Sequence, residues 1–407
     1  MGGLTGTARR RVSVALGIVT LISLGTGVSV AVSPHAAGPG TPAAAAAAGG
    51  LPVVAAAPQP VVSITPVGPV LPADPFVVHV AQGSAKAVSV TDAKTGKALA
   101  GTLAGDGSTW TSTGPLAYGA HYAVAVDTAA ADGTAGHQDV TVATVAPAQT
   151  AYPSFIPPPS QTTIGVGQPI VVRFSHAVHD RAAAEKALHV TASTPQAGSW
   201  YWLSDTEVHY RPQAYWKADS TINLETDLFG VDLGGGTFGE TDRKETITVH
   251  DAWIAKADGG THQMQIFDNG ALVKTMPISL GSPGFPSHIG PHVISDKQPS
   301  ITMDSCTYGV CQGQPGYYKE VVNLDERISD DGEFVHSAPW SVNSQGGQNV
   351  SHGCVNLSPE NAQWFFDHFG IGDVVEITNS GGATLPLGDT YGDWELTWAQ
   401  WQKGSAL

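Results

Sequence analysis

Cysteine is scarce in this chain, with three among 407 residues. Three cannot all pair internally, and they supply no Cys-rich metal cluster. Charge is thin too: 13% of residues are Asp, Glu, Lys or Arg, and Lys plus Arg number 19 against 35 Asp plus Glu. An acidic chain without a basic stripe cannot neutralise phosphates, which excludes a nucleic-acid binder and argues against adsorption to anionic headgroups. Helix-favouring charged runs are few, whereas Gly (48) and Pro (28) are plentiful, so the composition points to short strands and turns.

What is present falls into segments. Arg9, Arg10 and Arg11 precede an uncharged run from Val12 to Ser33. A basic cap before an apolar run reads as an export signal, and at the ~20 residues that span a bilayer it also reads as a membrane anchor. Either way the remainder of the chain is expected outside the cytoplasm, held at the membrane or secreted to the cell wall. Residues 34–60 form an Ala/Pro/Gly spacer with no periodic face to bury. Residues 61–147 and 148–250 each carry short β-branched alternations divided by Gly, Pro and Asp turns, the signature of an antiparallel sandwich. "WTSTGPLAYGAHYAVAV" lines up with "VHYRPQAYWKADSTINL", each running strand, Pro, loop, strand, so the two are expected to be copies of one module serving as spacer and scaffold. Asp232, Glu240 and Asp242 lie among glycines, where a hard cation could sit, although a Gly-rich hairpin explains them equally. No metal and no cofactor is expected.

Residues 251–378 are the third domain. Asn269-Gly270 joins two alternating runs and predicts a tight hairpin. In the 379–407 tail, Trp394, Trp398 and Trp401 fall at i, i+4 and i+7, one face of a helix that would dock on a neighbouring domain.

The chemistry centres on "NVSHGCVNLSP". Cys306 and Cys311 lie five apart, close enough to bridge, which leaves Cys354 as the odd thiol in an oxidising compartment. A free thiol retained there needs a reason, and catalysis supplies one. "EFVHSAPW" reads as a strand ending at His336, eighteen residues before Cys354, so a strand–loop–strand return brings imidazole and thiol together. A thiol of pKa ~8.5 is mostly protonated at neutral pH and needs such a base. Gly353 permits backbone conformations that let nearby amides face an oxyanion. Ser358 and Pro359 open a helix whose buried face is Ala362, Phe365, Phe366 and Phe369. Two other readings stand beside catalysis: His336, His352 and Cys354 as zinc ligands, or Cys354 as a buried space-filler.

"HSAPWSVNSQGGQNVSHGCVNLSP" resembles the signature of the L,D-transpeptidases, the YkuD catalytic domain. The whole order of segments is similar to the actinobacterial type: signal or anchor, two immunoglobulin-like modules, catalytic domain and Trp-rich extension. The fold the resemblance implies is mainly β, with two immunoglobulin-like sandwiches and a β-rich catalytic domain carrying a short helix. It also implies the activity. Cys354 would take an acyl group from a peptidoglycan tetrapeptide stem, releasing D-Ala, and pass it to a diaminopimelate amine, giving a 3→3 cross-link. His336 would be the base and the Ser337 carbonyl would orient it. The amides of His352, Gly353 and Cys354 would form the oxyanion hole. Tyr318, Asn356, Trp340, Met303, Tyr308, Asp331 and Gly332 would line the substrate site, with Tyr317 as the alternative to Tyr318. Carbapenem-type β-lactams would acylate the cysteine. "SHIG" (Ser287 to Gly290) stands where the family has T-P-x-G, and the Cys306/Cys311 pair is unusual for the group. Competing readings keep the site with water as acceptor (a carboxypeptidase), invoke a sortase-like enzyme, or make the chain a non-catalytic wall-binding protein.

Overall fold

The structure is a computed structural model that describes residues 57–407. The signal or anchor expected at 1–33, and all but the last four residues of the 34–60 spacer, lie outside the described residues. Two sandwiches come first. In one, a sheet built from Val61–Thr65, Val77–Ala81, Thr109–Ser112 and Gly101–Leu103 faces a second built from Gly83–Asp92, His121–Ala130 and Ala135–Ala143. Alternation drives this packing: in His121–Ala130 every second residue is buried, with Tyr122, Val124 and Val126 entering the core. The next sandwich pairs two four-stranded sheets around Trp200, Trp202, Trp216, Ile222 and Leu224.

The internal similarity has a structural counterpart. Thr109–Ser112 and His121–Ala130 lie in opposite sheets of the first sandwich, and Glu207–Pro212 and Thr221–Thr226 lie in opposite sheets of the second. Each Pro-containing loop is therefore a crossing between layers. The Gly-rich loop is a hairpin whose carboxylates are taken up by hydrogen bonds within it and to the neighbouring strand Gln149–Ala151. Asp232 accepts the Gly234 amide at 2.8 Å, Asp242 the Phe229 amide at 2.7 Å and Glu240 the Thr150 hydroxyl at 3.0 Å.

Beyond residue 251 the chain forms two further sheets. One is five-stranded, in the spatial order Ala271–Pro277, Gln263–Asp268, Trp253–Asp258, Val374–Thr378 and Gly290–Val293. Its hairpin turns at Asn269 (φ 47°) and Gly270 (φ 83°), where both residues adopt the left-handed conformation such a turn requires. The other sheet runs Asp296–Asp304, Lys319–Arg327, Phe334–Ser337, Val355–Leu357. Between them pack Ile266, Met276, Val335, Val355, Leu357 and the helix Pro359–His368. Ser358 caps that helix by accepting the Asn361 amide at 3.3 Å. Ala362, Phe365 and Phe369 are buried as the spacing predicts, but Phe366 is only half-buried. Its ring lies 4.3 Å from the Lys297 ammonium, which also donates to the Phe366 and Phe369 carbonyls at the helix end.

The tail departs from the single helix its tryptophan spacing suggests. It breaks into a 3₁₀ turn (Gly392–Glu395), extended backbone at Leu396 (ψ 133°) and a short helix, Trp398–Trp401. The three tryptophans still converge, because the Arg211 guanidinium of the second sandwich lies 4.7, 5.7 and 4.6 Å from the rings of Trp394, Trp398 and Trp401. Arg211 is 2% exposed and donates to the carbonyls of Asp393 (3.1 Å), Pro212 (3.1 Å) and Leu396 (2.7 Å). A cation, not helical periodicity, organises the tail.

Candidate active site

His336 and Cys354 are brought together by two adjacent short strands. Phe334–Ser337 and Val355–Leu357 pair in parallel, with Val335 opposite Val355 and His336 opposite Asn356. A parallel pair needs a crossover rather than a tight turn, which the eighteen-residue return provides. Cys354 sits immediately before its strand, at the mouth of the pair. The neighbouring positions Val335, Val355 and Leu357 are locked into the core, so the reactive groups ride on rigid backbone.

Both groups are buried, His336 at 3% and Cys354 at 4% exposure. His336 Nδ1 lies 3.0 Å from the Ser337 carbonyl oxygen. A carbonyl only accepts, so Nδ1 carries the hydrogen and Nε2 presents its lone pair. Burial lowers the imidazole pKa to about 4 and raises that of the thiol to about 12, with the Glu333 and Asp325 carboxylates adding to the latter. The resting pair is therefore a neutral thiol and a neutral imidazole. The Cys354 Sγ donates to the Gly332 carbonyl at 3.7 Å, a partner outside the motif. Cys306 and Cys311 form a disulfide with Cα atoms 4.1 Å apart, which leaves Cys354 as the free cysteine. Among the described residues no group of three or more His, Cys, Asp or Glu side chains is arranged to hold a metal ion.

The cysteine loop is held by hydroxyls. Ser351 Oγ donates to the Cys354 carbonyl at 2.7 Å and accepts the Gly353 amide at 3.2 Å. In this conformation the Gly353 amide is thus committed to Ser351, which removes it from the expected oxyanion donors. Ser287 Oγ accepts the Gly281 amide at 2.9 Å and donates to the Gly353 carbonyl at 2.5 Å. The "SHIG" segment therefore acts here as a clamp on the loop. Gly353 has φ +120°, a conformation that favours glycine, and a Cβ there would lie 3.1 Å from Glu333 Oε1, pressing on that carboxylate. Glu333 in turn accepts the His288 amide at 2.9 Å and faces the buried His292 at 3.5 Å.

A cavity of about 260 Å³ opens onto the pair. Met303, Tyr318, Trp340, His352 and Asn356, all expected at the site, line it with Glu320, Val322, Val350 and Ser351. Trp340 is 58% exposed and its ring is stacked 6.0 Å from that of His336, while Tyr318 lies 5.2 Å from His352. Asn356 is buried opposite His336 in the strand pair and donates to Ser341 Oγ at 3.1 Å. Asp331 and Gly332 line a second cavity of about 540 Å³ that shares Met303 and Tyr318 with the first. The Asp331 carboxylate is held by His288 at 2.8 Å and Ser329 at 2.5 Å. Tyr308 ends the 3₁₀ turn Ser305–Tyr308 within the segment cross-linked by the disulfide. Ser351, Glu320 and Glu333 were missed as site components; Gly332 and Ser287 were named, but not the contact of the Gly332 carbonyl with the thiol or the hold of Ser287 on the loop. Strand alternation from Tyr318 points to Glu320 and Ser351 lies within the motif itself, whereas Ser287, Glu333 and the Gly332 carbonyl reach the site through long-range contacts.

Comparison with known proteins identifies the domains and the family. Residues 252–377 match the L,D-transpeptidase catalytic domain and residues 68–232 a bacterial Ig domain. The chain is 41% identical over 332 residues to L,D-transpeptidase 2 of Mycobacterium tuberculosis (strain CDC 1551 / Oshkosh), covering 82% of this chain and 81% of that one. It is 32% identical over 349 residues to L,D-transpeptidase 5 of M. tuberculosis (strain ATCC 25618 / H37Rv), covering 83% and 74%. Among solved structures, an L,D-transpeptidase in complex with imipenem aligns at 34% identity and TM-score 0.49, over 55% of this chain and 97% of that one. One from Mycobacterium smegmatis aligns at 35% and 0.47, over 56% and 99%. With the catalytic domain in place and full-length relatives matched over most of their length, this chain belongs to the L,D-transpeptidase family.

Proposed function

We propose that the chain cross-links peptidoglycan stems 3→3 through a thioester on Cys354. The observation that carries the reading is a buried thiol and a buried imidazole on one cavity, with the imidazole held as the tautomer whose Nε2 is a base. In the first half-reaction Sγ attacks the carbonyl of the third residue of a tetrapeptide stem and Nε2 takes the thiol proton. The proton passes to the amine of the leaving D-Ala as the C–N bond breaks. In the second half, the diaminopimelate side-chain amine of another stem attacks the thioester, and the sulfur departs and is reprotonated. The cleaved peptide bond supplies the energy for the new one, so no nucleotide is needed. That economy suits a site outside the cytoplasm, and the basic-then-apolar segment at 9–33 with its spacer fits a chain held at or exported through a membrane. A carbapenem-type β-lactam presents a strained carbonyl to the same sulfur and is expected to acylate it.

The test is incubation of the purified chain with disaccharide-tetrapeptide, followed by mass spectrometry. Expected are 3→3 dimers and free D-Ala, both lost in Cys354→Ala. Tripeptide without dimers would make it a carboxypeptidase, and turnover surviving Cys354→Ala would sink the mechanism.

A further inference from the structure

The wall of the 260 Å³ cavity carries one carboxylate, Glu320. It belongs to the strand Lys319–Arg327, where it pairs with Met303. Alternation places it on the same face as Tyr318 and Val322, which line the cavity with it. Glu320 is exposed and has no ion pair among the described residues; the adjacent Lys319 is paired with Asp304 at 2.8 Å. The remaining wall is uncharged in character. Met303, Val322, Trp340 and Val350 are apolar, and Ser351 and Asn356 are neutral. Burial lowers the proton affinity of His336 and of His352 and keeps the Cys354 thiol protonated. Glu320 is near enough to His352 for its charge to oppose that lowering. A cavity whose wall is apolar or neutral except for one anion attracts cations and repels anions.

We infer that Glu320 is the acceptor-selecting residue, a subsite for the primary ammonium that becomes the nucleophile of the second half-reaction. This rests on the proposed transpeptidation. The donor brings an anionic D-Ala carboxylate, which Glu320 disfavours nearby, and the acceptor brings a side-chain ammonium, which it draws in. The bound ammonium releases one proton to solvent and the neutral amine attacks the thioester carbonyl. As the C–S bond breaks, the second proton moves by way of His336 to the departing sulfur. Glu320 makes no bond in this sequence; it raises the local concentration of the right nucleophile over water, which carries no charge for it to hold.

The experiment compares the full chain with Glu320→Gln and Glu320→Lys. Each is first acylated by tetrapeptide and then divided between two acceptors, a diaminopimelate-ended tripeptide stem and hydroxylamine, which is uncharged at neutral pH. For Glu320→Gln the ratio of stem capture to hydroxylamine capture should fall about fivefold, the upper range of one exposed ion pair. For Glu320→Lys it should fall further, with hydrolysed tripeptide rising in proportion. Raising the salt should shrink the wild-type advantage. An unchanged capture ratio with normal Cys354 acylation overturns the acceptor assignment alone. Absence of any Cys354 adduct in the wild type overturns the transpeptidase reading, and the assignment with it. Because Glu320 is exposed, thermal unfolding of both variants should track the wild type, and a collapse of the fold in both would contradict its placement on the open wall.

Discussion

A thiol raised to about 12 from the ordinary 9.0 holds about 1000-fold less thiolate at neutral pH. A more basic thiolate is also a better nucleophile, by roughly 20-fold over that interval. The two effects leave Cys354 about 50-fold less reactive than an exposed cysteine towards a small electrophile such as iodoacetamide. His336, lowered to about 4, is unprotonated at neutral pH and cannot stabilise a resting thiolate. The alkylation rate should therefore climb about tenfold per pH unit from 7 to 10, with no plateau. His336→Asn should leave that profile nearly unchanged while abolishing D-Ala release, because His336 acts only when the attack on substrate needs a proton acceptor. Intact-mass spectrometry of alkylated Cys354 at fixed times gives both curves. A flat rate between pH 5 and 8 that collapses in His336→Asn would mean a preformed thiolate–imidazolium pair and would refute the reasoning.

Arg211→Ala should release the C-terminal tail, since it strands the Leu396 and Asp393 carbonyls and empties the space among three tryptophans; the cost is about 3–5 kcal/mol, read as new proteolytic cleavage near residues 392–401. His209 lies 2.8 Å from both Asp393 and Glu207; burial alone would lower its pKa, but those carboxylates outweigh it and raise it to about 9. A raised base stabilises below its unfolded pKa of 6.5, so about 3 kcal/mol present at pH 6 should be lost as pH rises through 9, seen as faster hydrogen exchange in the tail. Gly353→Ala places a Cβ 3.1 Å from Glu333 Oε1 at φ +120°, which should cost about 1–3 kcal/mol and at least tenfold in D-Ala release, measured against an unaltered circular dichroism spectrum.

Legibility in the sequence followed the range of the interactions involved. Asn269-Gly270, the Ser358-Pro359 helix start and Gly353 are local constraints, and each appears in the structure as its residue type demands. The pairing of His336 with Cys354 was readable because one return of chain connects them. The Ser287 clamp was not, since Ser287 meets Gly353 across 66 residues and nothing near either marks the other. The tryptophan spacing suggested a helix, but helical period is weak evidence over a dozen residues when a buried cation can gather the same rings from broken backbone. Phe366 fell in the apolar stripe yet serves to cover Lys297, a partner invisible from the helix alone.

The core of the second sandwich includes Val374, which sits on a strand of the catalytic sheet, with Ile254 packed against it. The Gly165 and Gly167 amides donate further backbone bonds to the carbonyls of Ile371 and Gly372, and the tail returns to the sandwich through Arg211 and Ser405. The segment that carries the motif is therefore not a separable piece of matter. Cut out at residues 252–377, it would bare Val374 and lose the tail's anchorage, whereas a fragment from 148 to 407 keeps every one of these contacts. The unit that evolution can shuffle by sequence and the unit that can fold are here of different sizes, and the second sandwich is less a spacer than the other half of the enzyme's foundation.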